Sequence, residues 1–201
     1  MPRSLERWTP RRRGAIESDV LLVLVPHPST PETAWTVSAS AERGVENALR
    51  LRYRIDGAVH GLRVPPLGAV RAGDRLWEHT CTEAFVRAEG AAGYVELNVS
   101  PSREWAAYAF TAYREDGSPV PGRPAPRIDV RRARDELSIE VVVALADLSS
   151  AFRADAVLRV GLTVVTEATD GRHAYWALRH PSARPDFHHA DACTLRLEPA
   201  A

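Results

Sequence analysis

The sequence predicts an all-β chain folded as an antiparallel sandwich, jelly-roll or immunoglobulin-like in type, with about eleven strands. Three observations lead there. Apolar and polar residues alternate with a period of two through many short segments. Fifteen Pro and 12 Gly supply the turns such a chain needs. No run of about 12 residues carries a helical period.

Residues 1–18 read as an irregular basic arm, and 19–201 as one domain. Val20 to Val25 is the first strand, followed by a turn region over Pro26–Glu32. Trp35, Val37 and Ala39 alternate with Thr36, Ser38 and Ser40. Leu51, Tyr53 and Ile55 alternate with Arg52 and Arg54, after which Asp56-Gly57 supplies a hairpin-type turn. Leu62–Val64 is a short strand stopped by Pro65 and Pro66. Leu76 to Tyr113 then holds three strands in succession, joined by a turn at Glu89–Gly93 and a Ser-Pro-Ser turn at 100–102. Glu115–Pro126 is a loop, and Ile128–Arg131 with Leu137–Val143 form a hairpin around Ala133–Glu136. Ala144–Ser150 (ALADLSS) is a short helical turn. Leu158–Thr166, Ala174–Leu178 and Cys193–Leu197 complete the set, the first two separated by Thr169-Asp170-Gly171.

Composition narrows the function. At 201 residues, 45% apolar and 26% charged, the chain is long enough to bury a core without staples. Its formal net charge is zero, and its 26 basic residues are all Arg. A balanced charge argues against a nucleic-acid partner, because neutralising phosphates needs a basic excess. The apolar run Val20–Val25 is far shorter than the roughly 20 residues that span a bilayer. Arg11, Arg12 and Arg13 mimic the start of a signal peptide, but Glu17 and Asp19 intervene and no small-residue cleavage site follows. A cytoplasmic protein without a membrane partner is therefore expected, with Cys81 and Cys193 as reduced thiols.

The central strands carry the candidate site. Side chains alternate sides along a strand. Trp77, His79, Cys81, Glu83 and Phe85 thus share one side of the first, and Tyr94, Glu96, Asn98 and Ser100 one side of the second. Val95, Leu97 and Val99 must face the core. Antiparallel pairing through Glu89–Gly93 sets Glu83 and Phe85 on the same surface as Tyr94 and Glu96, to which Glu140 and Glu167 can be added. Aromatic faces flanked by carboxylates and amides are what a sugar needs, since its C–H groups stack and its hydroxyls bond. Trp77, Trp105, Trp176, Tyr94 and Tyr175 supply the first kind; Glu83, Glu96, Asn98 and Arg114 supply the second. The alternative is the ordinary polar outer face of an antiparallel sheet.

Several segments together resemble the DOMON-like proteins, bacterial relatives of the DOMON and family-nine carbohydrate-binding β-sandwiches. They are His27–Pro31 (HPSTP), Leu76–Phe85 (LWEHTCTEAF), Tyr94–Ser102 (YVELNVSPS), Trp105–Tyr108 (WAAY), Tyr175–Leu178 (YWAL) and His180-Pro181 through Pro185–His189 (PDFHH). The resemblance implies a sandwich that binds sugar or haem. An acidic residue on one strand and an Asn on the next, here Glu83 and Asn98, is the likeness to the sugar binders. Haem-binding DOMON domains use a Met and a His, and the only Met here is Met1. A bis-His haem site stays open as an alternative.

His180, His188 and His189, with Asp186, form a loop cluster that suits either a metal site or backbone anchoring. His79 and Cys81 stand two apart on a strand, about 6.6 Å, too far to pair directly. The GxSxG, GxGxxG and GxxxxGK[ST] motifs are absent. The expected function is non-catalytic binding of a saccharide or sugar-containing metabolite, without a cofactor. The ligand is expected to touch Trp77, Glu83, Glu96, Asn98, Trp105, Arg114 and Trp176, with His180 and His188 closing the site. A metalloenzyme built on His180, His188 and His189, and a haem carrier, are the alternatives.

Overall fold

The computed structural model of the chain describes residues 20–120 and 124–200, so the arm expected over 1–18 lies outside the described residues. Two β-sheets pack face to face. In chain order the strands are β1 (Leu22–Val23), β2 (Val25–Pro26), β3 (Trp35–Arg43), β4 (Ala48–Gly57), β5 (Arg71–Ala72), β6 (Cys81–Ala88) and β7 (Tyr94–Val99). Then come β8 (Glu104–Phe110), β9 (Ser118–Pro119), β10 (Arg127–Arg132), β11 (Glu136–Ala144), helix α1 (Leu145–Leu148), β12 (Leu158–Glu167), β13 (His173–Ala177) and β14 (Leu195–Leu197). One sheet has five strands in the order β1-β3-β4-β11-β10. The other has nine, ordered β2-β13-β12-β6-β7-β8-β5, with β14 also on β12 and β9 on β8. All pairs are antiparallel except β5 with β8.

The alternating residues form the space between the sheets. Val37, Ala39 and Ala41 of β3 and Leu51, Tyr53 and Ile55 of β4 meet Ala84 and Val86 of β6 and Val95, Leu97 and Val99 of β7. The Val, Leu and Ile side chains among them each gain roughly 1.5–3 kcal/mol by leaving water. Tyr53 also ties the sheets together, its hydroxyl donating to the Glu83 carbonyl at 2.8 Å. The hairpins at Ala133–Glu136 and Thr169–Gly171 form where expected, the second with Gly171 at φ +85°. The Ser-Pro-Ser turn closes β7 to β8 through Ser100 N–H to the Glu104 carbonyl at 2.9 Å.

The fold differs from expectation at four places. The Val20–Val25 strand divides: Leu22–Val23 joins one sheet and Val25–Pro26 the other, because Leu24 between them is buried in the core and its N–H bonds to the Val37 carbonyl. Asp56 and Gly57 are the last residues of β4, not a hairpin turn. Gly57 is required there, at φ +119°, because a Cβ would sit 2.4 Å from the Ala34 carbonyl oxygen. Leu62 contributes a single bridge to Ala168 rather than a strand. The long strand expected from Leu76 begins only at Cys81; Arg75 adopts φ +51° and Leu76–Glu78 coil into a 3-10 turn. With the two-residue strands β5 and β9, the count rises from about eleven to 14.

At the end of β12, Glu167 is buried and clasped by Arg63 Nη1 and His79 Nδ1, each at 2.8 Å. These bonds hold the segment before β6 against the sheet. Both partners are largely exposed, so the Arg63 ion pair keeps only a modest share of its energy against solvent screening. Glu167→Ala is expected to cost about 1–3 kcal/mol, read as a lower urea midpoint with an unchanged slope.

Candidate functional site

The outer face of the nine-stranded sheet is not a bare polar surface. Outward residues of β6 and β7 lie beneath the 178–194 segment, which folds back over them. That segment comes close because residue 161 of β12 is Gly; a Cβ there would stand 3.3 Å from the Ala192 carbonyl oxygen and 3.4 Å from Cys193 Sγ. Phe187 plugs one side, packing with Phe85, Tyr94, Val165, Ala177 and Cys193. Where the cover stops, an open cleft of about 440 Å³ remains, within the usual range for a small-molecule site.

Aromatic rings wall the cleft: Trp77, Phe85, Tyr108, Phe110, Tyr175 and Phe187. Trp77 meets Tyr108 edge to face at 5.6 Å, and Tyr108 is held by donating its hydroxyl to Asp74 at 2.7 Å. Tyr94 stacks on Phe110, with ring centres 4.6 Å apart. Val165, Pro185 and Gly117 fill gaps between the rings.

Glu83 and Glu96 make the polar floor. Glu83 lies opposite Asn98 on β7 and Thr163 on β12, and Thr163 Oγ1 donates to its Oε2 at 3.2 Å. Burial drives the Glu83 carboxyl well above the usual carboxylate range; the Glu96 charge adds to this and the Thr163 bond opposes it. Glu96 Oε1 accepts from Asn98 Nδ2 at 2.7 Å. Its carboxyl is also raised by burial, an effect reduced by the Asn98 bond and the Arg114 charge. Asn98 itself is fully buried, and its Oδ1 has no hydrogen-bond partner.

His188 and Arg114 form the rim. Tyr94 Oη and His188 Nδ1 lie 2.8 Å apart, and the Arg114 backbone N–H donates to the same hydroxyl oxygen at 3.1 Å. With that oxygen donating to Nδ1, His188 presents Nε2–H toward Glu96 Oε2 at 3.7 Å. Burial, helped by the Arg114 charge and opposed by Asp186, pushes His188 down to about 4, so it is neutral at physiological pH. The Arg114 guanidinium is engaged by Asp186 at 3.0 Å, and Tyr113 donates to the other oxygen of that carboxylate at 2.7 Å.

Of the nine residues expected to touch a ligand, Trp77, Glu83, Glu96, Arg114 and His188 line one cleft. Asn98 sits directly beneath it and positions Glu96. The other three lie elsewhere. Trp176 is buried between the sheets, its Nε1 donating to Thr166 Oγ1 at 3.2 Å. Trp105 packs against the same inter-sheet core, so neither tryptophan can be a ligand platform on the outer face. His180 stands behind Phe187 and reaches the Val25 carbonyl through Nε2 at 2.9 Å, with its ring edge-on to His27. It anchors a loop instead of closing the site. Glu140 points outward from the other sheet, beside Arg50 and Arg127. Glu167 shares the outer face but is held by Arg63 and His79.

The metal alternative on the C-terminal loop meets a correction. His180 bonds Val25, His188 faces Tyr94 and Glu96, and His189 Nδ1 accepts from the Asp191 N–H. Their nitrogens diverge. Among the described residues, no group of three or more His, Cys, Asp and Glu side chains is placed to hold a metal ion. Cys81 is buried with Leu76 and Ala106 as a small hydrophobe, and its thiol is pushed up by that burial.

Tyr108, Phe110 and Phe187 were not among the expected contacts. The signal for the first two was present: in Glu104–Phe110 (EWAAYAF), Tyr108 and Phe110 share a face that Trp105 cannot share. Tyr175 and Trp176 are adjacent in sequence and so must point to opposite sides in the same way.

Two packed sheets, with a cleft of aromatic walls and carboxyl floor on the outside of one, define a β-sandwich with a laterally opening site. No protein-family model matches the chain, and no curated protein is a significant match to its sequence. Solved structures do match. One is a "putative carbohydrate-binding protein" from Bacteroides uniformis, with a TM-score of 0.64 and 17% identity, covering 89% of this chain and 85% of that one. Another is a carbohydrate binding module of family 9 from Caldicellulosiruptor kristjanssonii in complex with glucose, with a TM-score of 0.52 and 12% identity, covering 96% of this chain and 92% of that one. At these identities the likeness is one of fold.

Proposed function

We propose that this chain is a non-catalytic, DOMON-like sandwich that binds a saccharide or sugar-containing metabolite in the outer cleft. One observation carries the reading: two carboxyl groups lie at the bottom of a cleft walled by aromatic rings, of which Trp77 is the most exposed. Sugars offer both counterparts, C–H surfaces for the rings and hydroxyl donors for the acids. In this reading Trp77, Tyr108, Phe110 and Tyr175 hold the ring, and Glu83, Glu96, Arg114 and His188 bond its hydroxyls. Two sandwiches of similar fold, one described by sugar binding and one holding glucose, give it support.

Calorimetric titration with glucose and short glucose oligomers tests it. A dissociation constant of about 1 mM or tighter is expected, equivalent to roughly −4 kcal/mol. Trp77→Ala removes one stacking face and is expected to weaken binding about 3–10-fold. The absence of heat with every neutral sugar at millimolar concentration would overturn the proposal.

A further inference from the structure

The floor of the cleft has an unusual inventory. Glu83 and Glu96 project from neighbouring strands toward one opening, and both are almost fully buried. Among the described residues, neither carboxyl accepts a hydrogen bond from a guanidinium; their hydrogen-bond donors are the Thr163 hydroxyl and the Asn98 amide. Arg114, the arginine on the wall, is paired with Asp186, and its charge acts on Glu96 without a hydrogen bond to it. His188 offers at most one N–H, and at 3.7 Å it is long for a hydrogen bond. Next to the pair, Asn98 Oδ1 is a second kind of vacancy, a buried acceptor with no donor. The other titratable groups near the acids are Tyr53, Cys81, Tyr94 and Tyr108, which bring no positive charge.

Once ionised, such a floor is rich in acceptors and poor in donors. Buried acids without a hydrogen-bonded cation are expensive to ionise, and a ligand that supplies such a cation offsets that cost on binding. Around them stand ring faces, whose negative quadrupole favours a cation over an anion. A neutral sugar answers the acceptors with hydroxyls but brings no charge that would let the acids ionise. A primary ammonium answers both, with three N–H donors and one positive charge.

We propose that the cleft selects a ligand carrying a protonated amine, held between the carboxyl groups of Glu83 and Glu96. Resting on the carbohydrate reading above, the ligand class is an amino sugar.

The test is calorimetry of the whole chain near neutral pH with glucose, glucosamine, N-acetylglucosamine and glucuronic acid, each repeated in buffers of different ionisation enthalpy. Glucosamine is expected to bind about 10–100-fold tighter than glucose, the range of a hydrogen bond to a charged group. The N-acetyl sugar, which lacks the charge, should fall back to the glucose value, and glucuronic acid should be weakest. Glucosamine should also release protons as it drives the acid pair to full ionisation, seen as a buffer-dependent heat that glucose lacks. Glu83→Gln and Glu96→Gln should each collapse the glucosamine-to-glucose ratio. Equal or weaker binding of glucosamine overturns the amine inference and leaves the carbohydrate reading standing. Binding of a simple amine such as benzylamine, lost in Glu83→Gln, with no sugar bound at all, sinks the carbohydrate reading and upholds the amine. No binding of sugars or amines overturns both.

Discussion

Trp176→Ala is expected to lower the stability of the fold by about 3–5 kcal/mol, the usual cost of deleting a large aromatic from a core. The indole is 4% exposed, packed between the sheets and bonded through Nε1 to Thr166. Its strand is paired on both sides, with Val164 of β12 and Pro26 of β2 as its neighbours, so the backbone cannot easily collapse into the void. For a chain of this length each kcal/mol moves the melting temperature by about 2–4 °C, so a fall of roughly 6–20 °C is expected in a thermal melt. Trp77 makes the informative contrast. It is 40% exposed, at the mouth of the cleft, and touches Tyr108 edge to face. Trp77→Ala should leave the melt within a few degrees of the parent while weakening the ligand. If Trp176→Ala melts like the parent, or Trp77→Ala unfolds the chain, the division of the tryptophans between core and cleft is wrong.

That division shows what the sequence can and cannot display. Period two states which residues share a side, and on β6 and β7 it placed Glu83 and Phe85 with Tyr94 and Glu96 correctly. It does not state which sheet a strand belongs to. Glu140 alternates with Ile139 and Val141 just as Glu96 does with Val95 and Leu97, yet β11 is in the opposite sheet and Glu140 is half-exposed among arginines. Nor can alternation alone say that an outer face will be roofed. Burial of Phe85 and Tyr94 depends on the 178–194 segment returning over β12 at Gly161, a contact set by three-dimensional approach rather than local pattern. The rim was equally hidden: Arg114 and Tyr113 meet Asp186 across more than seventy residues, with |i−j| of 72 and 73. Two-residue strands such as β1, β2 and β5 are too short for any period to show.

Glu83→Gln is expected to make the protein more stable at neutral pH while impairing its binding. Burial, and then the nearby Glu96 charge, raise the Glu83 carboxyl above its unfolded value. For an acid shifted upward the sign is fixed. Below about pH 4 the carboxyl is protonated in both folded and unfolded chains, and the native state bears no charge penalty. As pH rises the unfolded chain ionises first, so stability falls until the pH has passed the folded value. Glutamine keeps the shape, can still accept from Thr163, and adds an N–H that can serve the orphaned Asn98 Oδ1. The variant should match the parent near pH 4 and exceed it by about 1–3 kcal/mol at neutral pH, the scale of an unmet buried polar group. His188 contributes the opposite slope. Its folded value falls from 6.5 to about 4, so its share of stability is present above 6.5 and is lost as pH drops toward 4. Comparing variant with parent at each pH largely cancels that term and isolates the carboxyl. Urea midpoints between pH 4 and 8, read beside amine affinity, decide the matter. A gain in stability joined to a loss of binding marks a group kept for its ligand at the expense of the fold. A variant less stable than its parent at every pH would instead make Glu83 a structural prop, and the cleft would lose its reason to be acidic.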